Sequence, residues 1–562
     1  MTNKNQEKLS AAAIFSDNMV LQHGKPVPFW GTGGVEGSSV SVIWENAKNT
    51  VKKETKVCDA QWSLTLPPLI AGVSGEIIIK NETDEIRFTN VITGDVWFAG
   101  GQSNMEMELV NCKNGKEELA SCANSNIRFY QVVKRAVVDD NYLRDESESC
   151  WKECKPETAA MLSAAAFFFA RKINAEIKIP VGIINCSWGG TSISAWMSEK
   201  QLNKTIAGKR FIDDYAQKVG NKTGEQYNAE MEDYFEQWRQ WDERIRARRE
   251  KEPDVSWEVL NKECGECPWP QPAGKTSPYC PTNLHTAMIR RTAPFAIKGF
   301  IYYQGEEDEL RAADYREMMY YLVEQWRGDW NDNNLPFLFV QLTMYASRQE
   351  VGSGNPPRHW CLLRESQYLA SLDIANSGLA VIIECGEFDN IHPFDKQTVG
   401  FRLALQALKK VYNTDIEADA PVFSWAEEQE SVLRLHFDNA GCGLEFHSGA
   451  ASSVAASSVA ASSVAASSVA VNSVAVNSGA VNSVAACCDD ITASFEIAAA
   501  HGKYYPAQAF IEGGSVILSS DKVQHPKRAR YAWYKYGPTP LYAKNGLAAM
   551  PFRTNRNEPI DC

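Results

Sequence analysis

A hydroxyl nucleophile needs a base to take its proton and a third group to orient that base. One stretch of this chain is built to present such a hydroxyl. Val96-Trp97-Phe98-Ala99 is an apolar run of the buried-strand kind, and it empties into Gly100-Gly101-Gln102-Ser103-Asn104-Met105. Met105 to Leu109 read as a helix start, so Ser103 is predicted on a turn at the carboxyl end of a strand. Backbone N–H groups on that turn, and the helix N-terminus behind it, would face charge developing on an attacked carbonyl oxygen. The same residues fit a plain turn with Ser103 as N-cap, and they are not the Gly-x-Ser-x-Gly elbow.

Eight histidines could supply the base. His436, His447 and His501 lie in β-type surroundings that suit surface or core imidazoles. His392 differs. It follows the apolar run Leu379-Ala380-Val381-Ile382-Ile383 and sits in Glu384-Cys385-Gly386-Glu387-Phe388-Asp389-Asn390-Ile391-His392-Pro393, a strand end opening into a loop. Asp389 is placed to accept the Nδ1 proton, leaving Nε2 for the proton of Ser103. An ordinary imidazole beside an Asx-turn is the alternative. A base near its unperturbed pKa would lose activity on acidification around pH 6–7.

Two further strand ends carry hydrogen-bond donors. Val181-Gly182-Ile183-Ile184-Asn185 leads to Cys186-Ser187-Trp188-Gly189-Gly190-Thr191, and Gly299-Phe300-Ile301-Tyr302-Tyr303 leads to Gln304-Gly305-Glu306. A glycine backbone N–H and a side-chain amide can together stabilise an oxyanion. Gly189, Gly190 and Gln304 are therefore expected to join the Ser103 N–H as donors. A turn and a core-edge amide are the plain alternatives.

These segments resemble the SGNH-type carbohydrate esterases, specifically the sialate O-acetylesterase-like group. The resemblance rests on Gly94-Asp95-Val96-Trp97, Gly101-Gln102-Ser103-Asn104-Met105, Trp188-Gly189-Gly190-Thr191, Ala195-Trp196-Met197, Tyr303-Gln304-Gly305-Glu306 and Asp389-Asn390-Ile391-His392-Pro393 with Lys396. It extends to Phe15-Ser16-Asp17-Asn18-Met19-Val20-Leu21-Gln22 near the start, and to Arg530-Tyr531-Ala532-Trp533 and Pro551-Phe552-Arg553-Thr554 near the end. The resemblance implies sugar-ester deacetylation through an acyl-enzyme, without metal or cofactor. Ser103 would be the nucleophile, His392 the base, Asp389 its orienter and Gln304 an oxyanion donor. Asn104, Glu306 and Arg364 are the candidate substrate-binding residues, and Arg364 and Arg402 the candidate partners for a sialic acid carboxylate. Tyr302 or Tyr303 stands where the family often has Trp, Glu307-Asp308 where it has Ser-Asn, and Asn390 where many relatives have a second Asp. Acetylxylan or another plant polysaccharide is the second substrate class, and a non-catalytic carbohydrate-binding protein the reading of another class.

The elements that must position these groups read as α/β. Strands alternate with helical segments from about 93 to 415, the pattern of a parallel sheet with helices on both faces, SGNH-hydrolase-like by resemblance. A helical insertion over about 200–270 carries Met231, Tyr234, Phe235, Trp238, Trp241 and Ile245 on one face, read as packing rather than a sugar platform. Residues 11–92 and 416–562 form flanking β-rich domains, the first more a scaffold than a carbohydrate-binding module. The second is broken by a low-complexity repeat over 451–485, with no side chain large enough to build a core.

At 562 residues the chain exceeds one ordinary core, and its formal net charge of −13 argues against nucleic acid or an anionic membrane as partner. An O-acetylated carbohydrate is the expected partner. Its polar start, Met1-Thr2-Asn3-Lys4-Asn5-Gln6-Glu7-Lys8, predicts no secretory signal. The fifteen cysteines, without a regular framework, suit reduced thiols in the cytoplasm. The tight pair Cys264/Cys267 and the next, Cys150/Cys154, lie too far apart in sequence to suggest zinc.

Overall fold

The structure is a computed structural model and describes residues 8–252, 255–352, 358–447 and 490–558. The 451–485 repeat lies outside the described residues. The chain divides into two compact units. The first comprises 1–342, 362–380 and 392–418, and the second 343–361, 381–391 and 419–562.

The first unit is built on a mixed sheet whose main path uses β1 (Glu85–Gly101), β2 (Asn124–Gln131), β3 (Trp151–Cys154), β4 (Val181–Ser187), β5 (Gly299–Tyr303), β6 (Phe337–Gln341) and β7 (Ser377–Val381). Their order is β3-β2-β4-β1-β5-β6-β7. β1 is the spine. Its second half pairs in parallel with β4, Asp95 opposite Val181, and with β5, Trp97 opposite Gly299. Its first half pairs antiparallel with Ser74–Lys80, which continues through Ser39–Glu45 to Thr50–Lys56. The boundary placed between 92 and 93 thus falls inside one continuous strand.

Helices that bear on the site are α1 (Ser103–Glu106), α2 (Ala164–Ile177), α3 (Gly224–Lys251), α4 (Trp257–Cys264), α5 (Ala312–Asp329) and α6 (Lys396–Lys410). Successive residues of a strand face opposite sides. Trp97 meets Phe169 of α2 edge-to-face at 5.0 Å, while Phe98 meets Trp326 of α5 at 5.5 Å. Helices therefore cover both faces of the sheet. α6 lies against α2 with Gly400 at the crossing, where a Cβ would come within 2.6 Å of Ala165 O.

The insertion packs on itself. Trp241, Ile245, Val255, Leu260 and Cys264 form a small core between α3 and α4. Tyr234 joins the buried side, whereas Phe235 and Trp238 face solvent. Packing accounts for part of the predicted stripe only.

In the second unit, Val422–Gln429, Val432–Asp438, Ser515–Ser519 and Gln508–Glu512 make one four-stranded antiparallel sheet. A second four-stranded sheet contains Phe495–Ala498 and Arg528–Tyr531. No helix among the described residues is long and apolar enough to cross a membrane.

Gly101 ends β1 at φ +139°, where a Cβ would lie 2.1 Å from Tyr303 O. Gly101→Ala should lower the stability of the first unit by about 2 kcal/mol or more, read as a shifted urea midpoint at unchanged slope.

Candidate active site

β1 hands the chain to Ser103 through a turn held on both sides. The Gln102 N–H donates to Tyr303 O at 3.0 Å, and Gln102 Oε1 accepts the Gly305 N–H at 3.3 Å. Ser103 then opens α1 with its Oγ 2.8 Å from His392 Nε2. That is hydrogen-bond distance, so Nε2 is placed to take the hydroxyl proton. α1 is a single four-residue turn, too short for the helix dipole expected from sequence. The individual N–H groups remain, and that of Ser103 has no acceptor among the described residues.

The loop bearing His392 is tied down from behind. The Lys113 N–H donates to Phe394 O at 2.9 Å. Lys396, the fully buried first residue of α6, donates from Nζ to Pro393 O at 2.8 Å and to Asn104 Oδ1 at 2.5 Å. The Asn104 amide in turn donates to Glu306 Oε1 at 2.5 Å. One polar chain therefore links the histidine loop, the helix beginning at Ser103 and the end of β5. Burial holds the Glu306 carboxyl above the ordinary range, against the pull of Asn104 and Lys396. Burial, and then the Lys396 ammonium, push the His392 imidazole down to about 4. The value of 6–7 expected from sequence presumed a solvated ring. A proton on a ring beside a buried cation is disfavoured twice.

Several residues singled out in the sequence are buried or bonded within the interior. Asn104 and Glu306, the candidate substrate-binding pair, are 1% and 8% exposed and bond to each other. Arg364 is 1% exposed and Arg402 9%, so both candidate partners for a sugar carboxylate are buried. Gln304 does not offer its amide to the serine. Its Nε2 donates to Thr191 O at 3.1 Å and Asp308 Oδ2 at 2.6 Å, while its Oε1 accepts the Tyr315 hydroxyl at 2.7 Å. Asp308, one of the two acidic residues where the family has Ser-Asn, also accepts from Ser192 Oγ at 2.6 Å and the Ile193 N–H at 2.8 Å. It is a clasp on the glycine loop.

The two glycines differ. The Gly189 N–H donates to Glu106 Oε2 at 2.5 Å, and Glu106 pairs with Lys134 through its other oxygen. A Cβ on Gly189 would sit 3.3 Å from Ser103 Cβ, so this backbone borders Ser103 directly. Gly190, at φ +70°, has no acceptor for its N–H among the described residues. Asp389 belongs to the stretch grouped with the second unit, where its Oδ1 accepts the Arg348 N–H at 3.0 Å. Its own backbone sits at φ +56° and donates to Ala346 O at 3.1 Å. Sequence reasoning named Lys396 only as part of a motif and Glu106 only as a helix residue. The one signal for Lys396 was its spacing, a helical turn past Pro393, which lets Nζ fold back on that carbonyl.

The family described as "Carbohydrate esterase, sialic acid-specific acetylesterase" matches residues 270–402, a span that holds Gln304, His392 and Lys396 but not Ser103. A sialate O-acetylesterase from Mus musculus is 28% identical over 466 residues, covering 76% of this chain and 78% of that protein. One from Homo sapiens is 26% identical over 432 residues, covering 71% of each. Among solved structures, a carbohydrate acetylesterase from Xanthomonas citri superposes with a TM-score of 0.69 at 26% identity. It covers 98% of this chain and 100% of its own.

An NMR titration of the His392 ring should show protonation well below the ordinary 6.5, towards about 4. Lys396→Met should move that midpoint upward, because the neighbouring positive charge that opposes protonation is gone. A midpoint of 6–7 in the unaltered chain would contradict the buried setting.

Proposed function

We propose that this chain is a member of the sialate O-acetylesterase-like family of carbohydrate esterases, to whose members it is similar, and that it deacetylates sugars through an acetyl-enzyme formed on Ser103. The observation that carries this reading is the 2.8 Å contact between Ser103 Oγ and His392 Nε2 at the carboxyl end of a parallel strand. In the first half-reaction Oγ attacks the acetyl carbonyl carbon while Nε2 takes its proton. The carbon–oxygen bond to the sugar then breaks, and the imidazolium returns the proton to the departing sugar oxygen. In the second, water attacks the acetyl-serine, Nε2 takes a proton from it, and acetate leaves as Oγ recovers that proton. Asp389 is the proposed orienter of the imidazole.

The developing oxyanion falls to the Ser103 N–H, with Gly190 as its partner. A donor of this kind contributes about 10²–10³ in rate. Gly189 could join only if Glu106 released its N–H. Because His392 acts as the neutral ring, activity is lost as pH falls through its pKa, and the depressed value supports turnover into acidic solution. SGNH-type topology is the proposed class of the sheet, and a scaffold role for the amino-terminal strands follows from their sharing β1 with it.

Sialic acid is the substrate suggested by the relatives' names. The burial of Arg364 and Arg402 favours a second reading, an esterase for neutral acetylated polysaccharide such as xylan. Acetate release measured across O-acetylated sialic acids and acetylated xylo-oligosaccharides separates the two. On whichever is hydrolysed, Ser103→Ala should reduce kcat by a factor on the order of 10⁴–10⁶. Near-normal turnover in that variant would end the proposal.

A further inference from the structure

The insertion does one thing its own packing does not require: it lays an indole ring on the glycine loop beside the nucleophile. A Cβ built on Gly190 would meet Trp269 Cη2 at 2.1 Å, with Cζ2 and Cζ3 of the same ring the next atoms. Gly189, the preceding residue, borders Ser103 in the same way. Trp269 therefore stands at the rim of the site, one backbone step from the serine. Even so, 48% of its surface remains in water. Its indole N–H has no acceptor among the described residues.

The ring is held, not loose. Tyr279 packs edge-on against it at 5.4 Å and 88°. The segment leading to it is bolted to α3 at three carbonyls. The Tyr234 hydroxyl donates to Pro268 O at 3.0 Å, Trp241 Nε1 to Gly265 O at 2.8 Å and Arg244 Nε to Cys264 O at 3.1 Å. Such anchoring reduces the ordering needed when a ligand lands on the ring. Around it the rim is polar and aromatic together. Glu106 and Lys134 pair beside the Gly189 backbone, and Lys134 Nζ lies 5.1 Å from the centre of the Trp188 ring.

We propose that Trp269 is a specificity-determining residue, the platform on which the pyranose ring of the acetylated sugar stacks while its ester faces Ser103. A pyranose has one face of C–H bonds and a rim of hydroxyls. The first suits the open indole face, and the second suits an unengaged N–H donor and the Glu106–Lys134 pair beside the glycine loop. Gly190 is what lets the ring lie this close, since any side chain there would displace it. The assignment rests on the esterase reading for the identity of the reaction, but the contact itself is a binding claim and can be tested as one.

The test compares unaltered protein, Trp269→Ala and Trp269→Phe on an acetylated sugar and on ethyl acetate, which has no ring to stack. The ratio of kcat/KM for the sugar ester over ethyl acetate should fall about tenfold or more in Trp269→Ala, mostly through KM, and be largely restored by Trp269→Phe. Loss of activity on both esters in equal proportion would mean that Trp269 only props the glycine loop, and would overturn the proposal. In parallel, Ser103→Ala and Ser103→Ala/Trp269→Ala are titrated calorimetrically with acetylated xylo-oligosaccharide and with O-acetylated sialic acid. Weaker binding of either sugar, by about tenfold, in the double variant supports the platform even if no sugar ester is hydrolysed, so the esterase reading can fail while this one stands. Equal affinity in the two variants, or no sugar binding to either, sinks the platform.

Discussion

The structure depends on one hydrogen bond that spans 289 residues of sequence, from Ser103 Oγ to His392 Nε2. Neither end can be placed by its local sequence. Ser103 is fixed because β1 is clamped between two parallel neighbours and its last turn is pinned to Tyr303 and Gly305. His392 is fixed because the residues just after it are bonded back onto α1. A serine–histidine pair of this length needs both supports to be stiff, and the helices on each face of the sheet supply that stiffness.

The second support is a buried cation. Lys396 has no solvent exposure, and an isolated ammonium in such a place would be strongly disfavoured. Its bonds to Pro393 O and Asn104 Oδ1, with Glu306 one link further on, make the arrangement tolerable. The same cation lowers the proton affinity of the neighbouring imidazole. Positioning and tuning thus come from one side chain. The glycine loop is organised on the same plan, with Asp308 collecting Ser192, Ile193 and Gln304 in the interior.

Much of this was legible in the sequence, for reasons that can be stated. Apolar runs ending in Gly101-Gln102-Ser103 or opening towards His392 announce strand ends, and strand ends in parallel sheets are where reactive groups gather. The apolar segment from Ala164 reads as a buried helix and is one. What the sequence could not show is the choice of partner. Gln304 reads equally well as an oxyanion donor or an interior clasp, and only the proximity of Asp308 and Tyr315 decides between them. Arg364 reads as a free cation until its burial is known. Glu106 capturing the Gly189 N–H joins residues from two strand ends, a pairing no spacing rule contains. A strand that serves two sheet regions, as β1 does, also hides the boundary that a change in periodicity suggests.

The most direct measurement is peptide mass spectrometry of the protein quenched during turnover of an acetylated sugar. The account predicts one acetyl group on the hydroxyl of Ser103, appearing before acetate reaches its steady rate. Steady acetate release with that residue never acetylated, or with the acetyl group carried elsewhere, would contradict it.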